Sequence, residues 1–161
     1  MAEIDIFTGQ NAFLSNFYAS CVELDGERYA TVEHAYQAAK VAENGEERER
    51  IRKAQTAGKA KHLGRRVQMR PDWDAVKKDI MYSLLVQKFA IPHLRKRLLA
   101  TGDEKLIEGN YWGDRFWGMC RSDKGEWEGQ NNLGKLLMKI RDDLRNEGEN
   151  EHGNVEMNRE K

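Results

Sequence analysis

The stretch PDWDAVKKDIMYSLLVQKF, residues 71–89, decides the fold class. Its apolar residues Trp73, Val76, Ile80, Leu84 and Phe89 recur mostly at three- and four-residue steps, and Met81, Leu85 and Val86 widen the stripe. That period lets a helix bury one face and solvate the other. Pro71 suits a first-turn position, where its missing N–H costs no ladder bond. A core helix from Asp72 to about Phe89 is expected.

Upstream of it, Gly64 closes a short helical piece from Lys59 to Leu63, and a charged helix runs from Glu46 to about Thr56. Thr31 is a good N-cap for a further helix from Val32 to about Glu43, a segment without a breaker. Cys21–Leu24 and Arg28-Tyr29, joined at Asp25-Gly26, have the pattern of a hairpin, and Ile4–Phe7 that of a short strand. Downstream, Pro92 opens a helix through Leu98-Leu99, and Leu106-Ile107 resembles a short strand. Residues 109–130, rich in Gly, Trp, Asp and Asn, are expected as loop with a hairpin. A last helix, Asn132 to about Arg145, buries Leu133, Leu136, Leu137, Ile140 and Leu144. The expected class is α+β, a helix-dominated single domain with a small β-sheet over residues 1–146. A disordered polar tail, residues 147–161, follows.

A chain of 161 residues suits one hydrophobic core. It has no run of about 20 apolar residues and opens without a basic, then apolar, leader, so a cytoplasmic protein is expected. Cys21 and Cys120 can form a disulfide, but a pair of buried free thiols is expected. The histidines at 34, 62, 93 and 152 fall in separate segments, so no metal is expected, and no cofactor. A net charge of zero argues against a general nucleic-acid coat. Charge is nevertheless uneven: between residues 45 and 70 nine Lys and Arg oppose three Glu. Such a cluster suits phosphate binding, although a solvated helix with internal ion pairs explains it too.

Two places fit a core explanation poorly. With about 100° per residue, Val32, Ala35, Ala39 and Ala42 share one side of the helix after Thr31, while Glu33, Gln37 and Lys40 form a stripe bordered by Tyr36. Three different polar groups in one line suit a pocket wall; a solvated face has the same composition. The second place is GNYWGDRFWG, residues 109–118, where glycines permit close backbone approach and Trp faces offer stacking platforms. Asp114 among these rings is either a carboxyl with a raised pKa or the cap of a turn. FLSNFY at 13–18 interrupts an apolar run with Ser15-Asn16.

Taken together, FLSNFY at 13–18, TVEHAYQAAK at 31–40, LGRRVQMRPDWDAVK at 63–77, GNYWGDRFWG at 109–118 and GQNNLGKLLMKIR at 129–141 resemble the NADAR or YbiA-like family of N-glycosidases, in the family's order. The resemblance implies hydrolysis of a ribose C1′–N bond. Its substrates would be phosphorylated riboside intermediates of riboflavin synthesis, or guanine bases of nucleic acid carrying ADP-ribose. By motif position it implies Glu33, Lys40 and Asp114 as catalytic groups. Asn16, Phe17, Tyr36, Gln37, Arg65, Trp112, Trp117 and Asn131 would contact substrate. Arg115 and the insert from Arg121 to Glu128 depart from the riboflavin-linked bacterial form, and the pattern after Asp114 is closer to the ADP-ribose-type branch. Removal of ADP-ribose from guanine is thus the expected reaction. A riboflavin-intermediate glycosidase and a non-catalytic ADP-ribose reader are the alternatives. A reader needs neither an acid–base carboxyl nor an amine, and both Glu33 and Lys40 are present.

Overall fold

The computed structural model describes the backbone of residues 2–159 and the side chains of residues 2–150. In chain order the elements are β1 (Glu3–Ile4), a 3₁₀ helix (Gly9–Leu14), β2 (Val22–Leu24), β3 (Glu27–Tyr29), α1 (Val32–Ala38), α2 (Glu46–Arg52) and α3 (Ala57–Gly64). They continue with α4 (Trp73–Ala90), α5 (Pro92–Ala100), β4 (Lys105–Leu106), β5 (Cys120–Arg121), β6 (Trp127–Glu128) and α6 (Asn132–Arg159). The class is α+β and helix-dominated, as expected. The chain forms two compact units: Thr8–Ile91, and the residues up to Phe7 together with those from Pro92 onward.

In the Thr8–Ile91 unit, α1 packs against α2, α3 and α4. Thr31 caps it as expected, its Oγ accepting from the His34 N–H at 3.1 Å. The helix stops at Ala38, short of the expected Glu43. Lys40 and Val41 donate to the carbonyls of Gln37 and Ala38 in i→i−3 bonds, each at 3.2 Å. Arg48 then takes the Ala38 and Val41 carbonyls at 3.1 and 2.8 Å while its other nitrogen meets Asp25 at 2.7 Å. A tertiary cap ends the helix where no local breaker does. It also removes Arg48, a buried residue, from the phosphate-binding cluster expected between residues 45 and 70.

The core helix α4 buries Trp73, Met81, Leu84, Leu85 and Phe89, while Val86 is exposed. Pro71 lies just ahead of the N-cap Asp72 rather than in the first turn. Lys88 is fully buried on the same face, donating to the Ser15 carbonyl at 2.7 Å. The hairpin β2–β3 pairs Val22 with Tyr29 and Leu24 with Glu27, and Asp25 takes a positive φ at its turn.

In the second unit, β1 and β4 pair in parallel and β5 and β6 antiparallel. The expected single sheet is therefore three separate two-stranded pairs. Strands of two or three residues present too few ladder groups to recruit a third. The apolar side of α6 buries Leu133, Leu137 and Ile140. Its backbone stays helical through Arg159, past the Glu147 boundary at which a disordered tail is expected. Extending an existing helix costs far less than nucleating one, and the polar sequence after Arg145 contains no proline. Residues 160 and 161 lie outside the described residues. No helix among the described residues is long and apolar enough to cross a membrane.

Candidate active site

Glu33 sits in the first turn of α1 and is buried. Its backbone N–H donates to the Asn16 carbonyl at 3.1 Å, which ties the FLSNFY segment to the start of the helix. One turn on, Gln37 donates from Nε2 to Glu33 Oε1 at 2.8 Å. Burial raises the Glu33 pKa above the ordinary carboxyl value; the Gln37 hydrogen bond and the charges of Lys61, Lys40 and His34 pull the other way.

Lys40 stands just past the helix end and is half-buried. Its Nζ lies 5.8 Å from the Tyr36 ring centroid, 6.0 Å from that of Trp73, and 3.4 Å from the Gly64 carbonyl. Tyr36 and Trp73 themselves pack at 5.1 Å. Burial lowers the Lys40 pKa, Glu33 opposes, and Arg65, Lys61 and Lys77 reinforce the lowering. The competition between burial and Glu33 is resolved in favour of burial. An acid biased toward its protonated form and an amine biased toward its neutral form thus share one electrostatic neighbourhood.

Two buried acceptors here lack a hydrogen-bond partner: Asn16 Oδ1 and Gln37 Oε1. Asn16 Nδ2 meets only the soft Met81 sulfur at 3.5 Å. Unmatched buried oxygens cost stability. Phe17 is exposed at the edge of this group, with Lys61 Nζ 5.8 Å from its ring. Arg65 caps α3, its side chain exposed.

Sequence reasoning missed Lys61, Trp73 and Gly64. Trp73 fitted the core stripe of α4. For α3 the legible signal was the small face Ala57, Ala60 and Gly64, all buried, which lets that helix approach α1 closely.

The remaining expected residues belong to the other unit. Asp114 Oδ1 accepts from the backbone N–H groups of Phe116 and Trp117 at 3.0 and 2.9 Å, so the carboxylate caps a tight turn. Asn110 clasps the same residue, accepting from its N–H at 3.0 Å and donating to its carbonyl at 2.8 Å. Trp117 packs edge-on against Phe116 at 4.9 Å, while Trp112 is exposed beside Tyr111. Asn131, buried at positive φ, accepts from the Glu108 N–H at 3.0 Å and donates to the Leu106 carbonyl at 2.9 Å. Its amide thus anchors the strand region to the start of α6. The loop glycines serve the protein's own packing as well: a Cβ on Gly109 would run into the Asp5 carbonyl, and one on Gly118 into that of Glu108. Cys21 is exposed and Cys120 buried, both free.

The NADAR domain profile matches residues 6–145. An N-glycosidase of Nostoc punctiforme is 41% identical over 138 residues, 82% of this chain and 85% of that protein. The N-glycosidase YbiA of Escherichia coli K12 is 38% identical over 133 residues, 81% of this chain and 79% of that one. A riboflavin biosynthesis protein of Vibrio vulnificus is 35% identical, this chain spanning 36% of its length. The NMR structure of E. coli YbiA superposes with a TM-score of 0.73 at 33% identity, covering 92% of this chain and 89% of the other. With a family match over residues 6–145 and relatives 41% and 38% identical over most of both chains, the chain belongs to the NADAR-domain family.

Proposed function

We propose that this chain is an N-glycosidase that hydrolyses a ribose C1′–N bond and that it removes ADP-ribose from guanine bases. The observation that carries this reading is the pairing of buried Glu33 with Lys40, their pKa values moved by burial in the directions that a proton donor and an amine nucleophile need. The names of the Nostoc and E. coli relatives support the bond type.

In the first step the neutral Lys40 amine attacks C1′, and the C1′–N bond to the base breaks. Protonated Glu33 gives its proton to the departing nitrogen. The furanose ring opens, O4′ taking a proton from the amine, and a protonated imine remains on Lys40. In the second step water adds to C1′, ionised Glu33 recovers a proton, and the C–N bond to Lys40 breaks. Free amine and open-chain aldehyde result, and the sugar recloses. Arg65 is assigned to the diphosphate, Asn16 and Gln37 to sugar hydroxyls, and Phe17 and Tyr36 to apolar faces of the ligand.

The riboflavin names of the Vibrio and maize relatives favour a second substrate class, phosphorylated pyrimidine ribosides. Incubation with an ADP-ribosylated guanine oligonucleotide and with pyrimidine riboside phosphates, followed by mass spectrometry, separates the two. Release of ADP-ribose with an intact guanine is the expected result; cleavage of the pyrimidine ribosides alone would move the enzyme to the second class.

A further inference from the structure

Gly64 is buried at the end of α3, with its two sides on the two groups that matter. Its carbonyl oxygen is 3.4 Å from Lys40 Nζ. A Cβ built on its other side would land on Gln37 Oε1, 2.6 Å from Gln37 Cδ and 2.8 Å from Gln37 Cβ. Swinging the amide away would relieve the first two clashes but not the third, because Cβ moves only with the α1 backbone. Gln37 is also the side chain that holds Glu33 Oε1 at 2.8 Å.

We propose that Gly64 is a positioning residue for the reaction, its bare Cα fixing Gln37 against Glu33 while its carbonyl holds the Lys40 amine. This rests on the reading of Glu33 and Lys40 as the catalytic groups. One position without a side chain thereby registers acid and amine to each other, and it does so through the close approach of α3 to α1. Neither substrate contact nor proton transfer is asked of Gly64 itself. Any side chain here displaces the Gln37 amide, and with it the carboxyl that the amide orients. A misplacement of about 1 Å at a reacting group costs on the order of 10²-fold in rate.

The test is a double-mutant cycle, Gly64→Ala and Gln37→Gly alone and together, with Glu33→Gln as reference. It is assayed on the ADP-ribosylated guanine oligonucleotide and the pyrimidine riboside phosphates. Gly64→Ala is expected to lower kcat on the order of 10²-fold. In the Gln37→Gly background the same change should add almost nothing, since every Gln37 atom it meets, the Cβ included, is gone. By carboxyl NMR the Glu33 titration should move upward in Gly64→Ala, as the hydrogen bond that favours its ionised form is lost. If Gly64→Ala does not fold, Gln37→Gly should restore folding by vacating the space, Cβ included. Equal losses in both backgrounds, an unmoved Glu33 titration, or a fold that Gln37→Gly does not rescue would overturn the proposal. Full activity of Glu33→Gln would instead overturn the catalytic reading beneath it.

Discussion

Gln37 gives its amide N–H to Glu33 Oε1 at 2.8 Å and keeps its own Oε1 buried without a hydrogen-bond partner. The amide therefore holds the carboxyl from one side and leaves an acceptor unspent. A side chain chosen only for stability would satisfy both ends. The consequences of that arrangement can be measured.

Glu33→Gln should reduce turnover by at least about 10²-fold while leaving the fold intact. The sign of its stability effect follows from linkage. A carboxyl whose pKa is raised on folding binds its proton more tightly in the native state, so stability falls as pH rises from the ordinary value of 4.5 toward the folded value. Glutamine carries no such penalty, so the variant should be at least as stable as wild type at pH 7, the advantage vanishing below the ordinary value. Urea unfolding at the two pH values checks this. A loss above about 2 kcal/mol at pH 7 would make Glu33 a structural residue.

Lys40 should be trapped. Borohydride added during turnover is expected to leave a covalent sugar adduct on Lys40, located by peptide mass spectrometry. Lys40→Arg keeps the charge but cannot form the imine, and should lose on the order of 10³-fold, about 4 kcal/mol of barrier. Because the imine-forming step needs neutral Lys40 and protonated Glu33 together, its rate should pass through a maximum in pH, with one limb for each group. An adduct on another lysine, or an active Lys40→Ala, removes the covalent route.

The basic segment should split into a structural and a binding part. Arg48→Ala takes from the Val41 carbonyl its Arg48 donor, leaves the Ala38 carbonyl with the Val41 N–H alone and frees Asp25, and is expected to cost about 2–4 kcal/mol in urea unfolding. Arg65→Ala, at an exposed site, should change stability by less than about 0.5 kcal/mol. It should raise KM for a phosphorylated riboside and leave the dephosphorylated form unchanged. Equal KM losses on both forms would remove Arg65 from phosphate binding.

Truncation after Asn146 should leave kcat and KM unchanged, since every residue assigned to the chemistry precedes it. A fall in activity with an unaltered melting temperature would show that residues 147–161 contribute to the reaction.

The sequence by itself determined the local elements and the types of chemistry available. The three- and four-residue rhythm from Trp73 to Phe89, the Thr31 cap, the Asp25-Gly26 turn and Pro92 each act over a few residues, and each produced the expected element. The order of the five blocks identified the family, and the stripe of Glu33, Gln37 and Lys40 marked the candidate site. Tertiary structure decided the rest, because burial and partnership are made between segments distant in sequence. Arg48, ten residues on, ends α1 at Ala38, and Lys88 is buried because the Ser15 carbonyl meets it from 73 residues away. Gly64 reads as a helix stop in the sequence and becomes a packing surface only when α3 lies on α1. Whether Glu33 holds Lys40 charged or burial drives it neutral depends on how much water the folded chain excludes from both, a quantity that no spacing of residues encodes.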